Sequence, residues 1–140
     1  MGNAYLERDK WRRSRHSEQE ARSIQSFTDL LQATTDIART LRQTAEQLEE
    51  GRDVDVHEVA EVVDDLIGQV RRQATVVRLV GPRTAFDLVT TLEGQISPIY
   101  RLIVEAERSG EATVLVEPAR QLMKTRDALI DHLRSTEGLS

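Results

Sequence analysis

The stretch that decides the fold is IQSFTDLLQATTDIARTLRQTAEQL, residues 24–48. Its apolar positions fall at Ile24, Phe27, Leu31, Ala38, Leu41, Ala45 and Leu48, with Thr34 filling the one gap. The steps alternate three and four without a slip, which is the stride of a helix that packs along one side. Leu30 and Ile37 widen the stripe. No helix breaker occurs from Ala4 to Glu50, and Gly51 follows as a residue suited to the left-handed conformation that ends a helix.

The same stride continues beyond that glycine. Asp55-Val56-His57-Glu58 reads as a capping box, with Asp55 accepting from the third amide and Glu58 reaching back. The second predicted helix then carries Val59, Val63, Leu66, Val70, Gln73, Val77 and Val80, with Val62 and Ile67 beside them, and stops at Gly81-Pro82. The β-branched run Ala74 to Val80 keeps the helical phase. The third helix, from Pro82 to Arg108, is lined by Ala85, Val89, Leu92, Ile96, Ile99, Ile103 and Ala106. Pro98 lies inside it, and its ring opposes the carbonyl of Gly94, so a kink is expected there rather than a break. Ser109-Gly110 makes a turn into the fourth helix, lined by Ala112, Leu115, Ala119, Leu122, Arg126, Leu129 and Leu133. Pro118 either opens that helix after an irregular lead-in or kinks its first turn. Three short connections between amphipathic helices predict antiparallel neighbours, and hence an all-α, up-down-up-down four-helix bundle.

Composition agrees with that reading. A chain of 140 residues suits one domain, large enough for a core without staples. Hydrophobic residues make up 39% and charged residues 31%, the balance of helices with thick solvated faces. Cysteine is absent, so disulfides and thiolate metal sites are excluded. No apolar run reaches the ~18 residues of a membrane-spanning helix, and the opening residues have no apolar core of a signal peptide. Gly2 does not meet the myristoylation pattern, because Leu6 stands where Ser or Thr is needed. The net charge of −5 argues against a nucleic-acid-binding domain. Arginine outnumbers lysine 17 to 2, a bias typical of GC-rich coding.

The first helix is anomalous in length. From Ala4 to Glu50 it would measure about 70 Å, against about 38 Å for each of the others. The chain therefore divides into a basic helical stalk, residues 1–20, and a bundle, residues 21–140, with the stalk projecting as the overhang of the first helix. The stalk holds Arg8, Lys10, Arg12, Arg13 and Arg15 around Trp11. A solvated tail does not need a tryptophan, so these six residues are the candidate contact with a membrane surface or partner protein. Arg8, Trp11, Arg12 and Arg15 share one face at helical spacing, where guanidinium groups can stack on the indole. No apolar face exists to lie in a bilayer.

The opening YLERDKWRRSRHSEQEARSIQSFTDLL, residues 5–31, resembles that of small, functionally uncharacterised actinobacterial proteins. Those combine one N-terminal transmembrane helix, an Arg/Glu-rich helix with a Trp and a short helical bundle. The resemblance implies a membrane-tethered placement and no chemistry; this sequence carries no membrane helix. The expectation is a cytoplasmic protein, at or near the inner face of the membrane, that binds a protein partner and an anionic membrane weakly. Self-association is compatible with it.

Candidate chemistry is sparse. The sequence has no phosphate-binding or dinucleotide glycine motif and no nucleophile elbow. His57-Glu58 with Glu61 approaches the zinc-protease pattern but lacks its second histidine. No Glu-x-x-His supports a di-iron bundle. The sequence therefore predicts a non-enzymatic bundle without cofactor or metal. The alternative is a His-dependent phosphotransfer module using His132, which borders the apolar stripe near the C-terminus. The glycine and lysine usual after a phospho-accepting histidine are absent. Thr34, Gln73 and Arg126 are polar positions within the stripes, suited to fixing register, and Arg126 is expected at the rim with its head in water.

Overall fold

A computed structural model of the chain describes residues 2–138; the side chains of residues 2–17, 19, 20, 23 and 136–138 lie outside that description. The described residues are all-helical, with no strand. Five α-helices follow in order: α1 Gly2–Glu49, α2 Val56–Val80, α3 Phe86–Ile96, α4 Ile99–Ser109 and α5 Thr113–Gly138. A 3-10 turn, Arg83–Ala85, precedes α3.

The helix ends form where local chemistry directs them. Gly51 closes α1 at φ +71°, its N–H donating to Leu48 O while Arg52 N–H reaches Gln47 O. That pair of bonds satisfies two carbonyls the helix leaves open. Asp55 caps α2, its Oδ1 accepting from Glu58 N at 3.3 Å. Only half of the expected capping box forms, since the Glu58 carboxylate makes no bond back to the Asp55 amide. Replacing Asp55 by Ala should cost about 1 kcal/mol in urea unfolding. A loss under ~0.3 kcal/mol would show that the loop alone holds this helix start. Gly110 ends α4 in the left-handed conformation, φ 71°.

Pro98 interrupts the expected third helix. α3 ends at Ile96 and α4 begins at Ile99. The interruption is two residues long: Ser97 keeps helical angles, whereas Pro98 opens to ψ 2°. Hydrogen bonding resumes at once, with Leu102 N donating to Pro98 O at 3.0 Å. The buried positions Val89, Leu92 and Ile96 of α3 and Ile99, Ile103 and Ala106 of α4 keep the three-four stride across the proline. Both segments therefore turn the same apolar side inward. Pro118 lies inside α5 at its sixth residue, so its missing N–H leaves the Val114 carbonyl without its helical donor.

Packing runs α1 on α2 and α1 on α5, while α3 and α4 each pack on both α2 and α5. One aliphatic core results, with Phe27, Leu30, Ile37, Leu41, Leu92, Ile96, Ile103 and Leu122 sealed from solvent. The predicted stripe of α3 and α4 is buried throughout, and that of the last helix is buried at Ala112, Leu115, Ala119, Leu122 and Leu129, with Arg126 and Leu133 half-buried. Two others are rotated. On α1, Ile24 is 57% exposed and the buried face begins at Ser26 and Phe27, centred on Leu30, Ala33, Ile37 and Leu41. On α2 the buried line is Ala60, Val63, Ile67, Val70, Ala74 and Val77, and Leu66 is only half-buried.

Threonines on α1 satisfy themselves. Thr28, Thr34, Thr35, Thr40 and Thr44 each donate their hydroxyl to the carbonyl four residues earlier, at 2.8–2.9 Å. Thr34 and Thr44 are thereby buried without a partner helix supplying a bond. Among the described residues the Thr34 hydroxyl bonds within α1 and to no other helix.

Candidate functional site

The six residues singled out in the sequence, Arg8, Lys10, Trp11, Arg12, Arg13 and Arg15, all lie on α1. Their backbone is helical; their side chains lie outside the described residues. What the structure supplies is the length relation around them. α1 has 48 residues and α2 has 25. At 1.5 Å per residue the difference is about 35 Å of helix. The described side chains nearest that segment, Glu18, Ala21, Arg22 and Ile24, are all exposed.

Within the helical body, polar groups tie neighbours together. Arg78 at the end of α2 pairs with Glu93 of α3 and donates to Thr90 Oγ1 at 3.1 Å. Thr125 of α5 donates to Gln95 Oε1 of α3 at 2.8 Å, in a largely buried setting. Arg126 reaches from α5 to Thr35 Oγ1 of α1 at 3.2 Å and also pairs with Asp127 at 2.9 Å. Its side chain is half-buried, the rim position expected from the sequence, with the head also tied to Thr35 and Asp127. These contacts hold helices in register and converge on no common point.

His132 is half-buried on α5, and its Nε2 lies 2.8 Å from Thr84 Oγ1 at the start of the third helical segment. No local pattern signals this pairing, since the two residues are 48 positions apart. His57 is exposed on the first turn of α2. Among the described residues no group of three His, Asp or Glu side chains is arranged to hold a metal ion.

The hollows are open grooves. One of about 430 Å³ lies along α4, lined by Arg101, Val104, Glu105, Arg108 and Ser109. Another of about 400 Å³ lies where α1 meets the start of α2, lined among others by Thr44, Gln47, Asp55, Val59 and Val62. Among the described residues no helix is long and apolar enough to cross a membrane. No family model, no curated protein and no solved structure matches this chain.

Proposed function

We propose that this chain is a non-enzymatic interaction module that works as a scaffold beside an anionic membrane surface. Its body is read as an antiparallel up-down-up-down bundle in which α3 and α4 together form one bent third helix. The closed ring of contacts, α1 with α2, α2 with α3 and α4, these with α5, and α5 with α1, supports that topology. So do the short connections at residues 50–55, 81–82 and 110–112.

The observation that carries the functional reading is the length of α1, nearly twice that of α2. Helices in proteins are stabilised mainly by packing an apolar stripe. A basic half-helix carrying a tryptophan and no such stripe gains most from an external partner. Each basic residue near an anionic surface contributes about 1 kcal/mol, and the neighbouring acids Glu7 and Asp9 subtract from the sum. A net of roughly 3–4 kcal/mol gives weak, charge-driven contact rather than anchoring. A protein partner would then supply the second attachment.

Co-sedimentation with liposomes tests this. The chain should ignore neutral vesicles and bind anionic ones weakly, with binding fading as salt approaches ~0.5 M, where screening is short-ranged. Replacing Arg8, Arg12, Arg13 and Arg15 together by Gln should abolish it. Tight, salt-resistant binding, or binding unchanged in that variant, would overturn the assignment.

A further inference from the structure

The outer face of α2 carries a second three-four line of residues. Val62, Asp65, Gln69, Arg72, Val76 and Leu79 succeed one another in steps of three and four. All are exposed except Val76, which is half-buried, and they face away from the buried Ala60–Val77 line. Of the five large apolar side chains exposed among the described residues, Val62, Leu79 and Val80 are on α2, with Leu79 79% exposed. The apolar arc of this helix is therefore wider than its own fold covers.

Charge is divided along the same helix. Asp55, Glu58, Glu61, Asp64 and Asp65 occupy its cap and first half, and Arg71, Arg72 and Arg78 its second. Arg78 is taken by Glu93. Asp64, Asp65, Arg71 and Arg72 make no ion pair among the described residues. Asp65 and Arg72 are seven positions apart on one face, about 10 Å along the axis, too far to meet within one helix. Gly68 lies between them. A glycine in a helix interior is unfavourable by about 0.5–1 kcal/mol against alanine. No close packing within the chain requires it, since a Cβ there would meet only the Arg72 side chain, at 3.6 Å.

These features are mutually complementary under one operation. A two-fold axis beside Gln69, with two α2 helices antiparallel, places Asp65 of each copy level with Arg72 of the other. It places Val62 against Val76, with Leu79 flanking, and puts the missing side chain of Gly68 next to the axis. Both charge pairs form at once, because the spacing is the same in each copy; such self-matching is what an isologous interface demands. We propose that α2 is a homodimerisation helix and that its occupant is a second, antiparallel copy of this chain. The proposal deepens the interaction-module reading, on which it rests, by naming one partner. A contact confined to two helices about 38 Å long falls at the low end of specific interface sizes, so the dimer is expected at micromolar concentration.

Sedimentation velocity on the full chain, from about 1 to 300 µM, should show a monomer giving way to a dimer. Asp65→Arg should weaken the dimer roughly tenfold or more, and adding Arg72→Asp should restore it to within about threefold. Both positions are exposed, and circular dichroism checks that the variants fold. The chain has no cysteine, so Gln69→Cys serves as a reporter: it should form a disulfide-linked dimer under mild oxidation, well ahead of Glu107→Cys on α4. A monomer across the whole range overturns the proposal. So does a dimer indifferent to Asp65→Arg in which Gln69→Cys cross-links no faster than Glu107→Cys. The liposome result is independent: a monomer that still binds anionic vesicles removes the dimer alone, and a dimer that ignores them removes the membrane reading alone.

Discussion

Leu92→Ala should destabilise the chain by ~2–5 kcal/mol in urea unfolding, whereas Leu66→Ala should cost less than about half as much. Leu92 sits in the middle of α3, sealed from solvent, on the line that continues through Ile96 and past Pro98. Truncating it removes transfer free energy and leaves a cavity that the flanking helices α2 and α5 cannot close without moving. Leu66 has the same chemistry but lies at the edge of the buried arc of α2, packed against the core on one side only. Water can enter the space its side chain leaves, so the cavity part of the cost largely disappears. The pair thus measures which face of α2 turns inward. Equal losses at the two positions would mean that α2 is rotated toward the Val59, Leu66 and Val80 side.

That rotation shows where the sequence stopped being legible. The helices themselves were readable because stride, caps and breakers agreed: Gly51 and Gly110 take the left-handed conformation, Asp55 caps α2, and the line from Ala85 to Ala106 is buried throughout. The inward face of α2 was not readable, because its large side chains outnumber the positions its neighbours cover. Ala60 and Ala74 face inward instead, where a small residue lets two helix backbones approach. A reading that weights bulk places Leu66 and Val80 inside and overlooks the alanines. The proposed membrane contact was legible only as charge: five basic residues and one acid between Arg8 and Arg15. A surface that acts by summed charge has no fixed spacing to detect. The His132–Thr84 contact was invisible for a different reason, being set by how α5 docks beside the start of the third helical segment.

Phe27→Ala should be among the most costly single truncations in the chain, about 3–5 kcal/mol, while Ile24→Ala, one turn earlier, should change stability by under ~0.5 kcal/mol. Phe27 is 1% exposed and supplies the aromatic ring in a buried core otherwise built, among the described residues, from aliphatic side chains. A ring in that position fills volume that Leu30, one turn on and itself fully buried, cannot also supply. Ile24 has the same apolar character and continues the same sequence pattern, yet it is 57% exposed. The difference locates the point at which α1 leaves the body and its apolar side chains lose their partners. Thermal or urea unfolding of the two variants reads it directly. A large loss from Ile24→Ala would place the exit point at least one turn closer to the N-terminus and shorten the overhang on which the membrane reading depends. A small loss from Phe27→Ala would move the exit point the other way, lengthening the overhang and leaving α1 tied to the rest of the core from Leu30 onward.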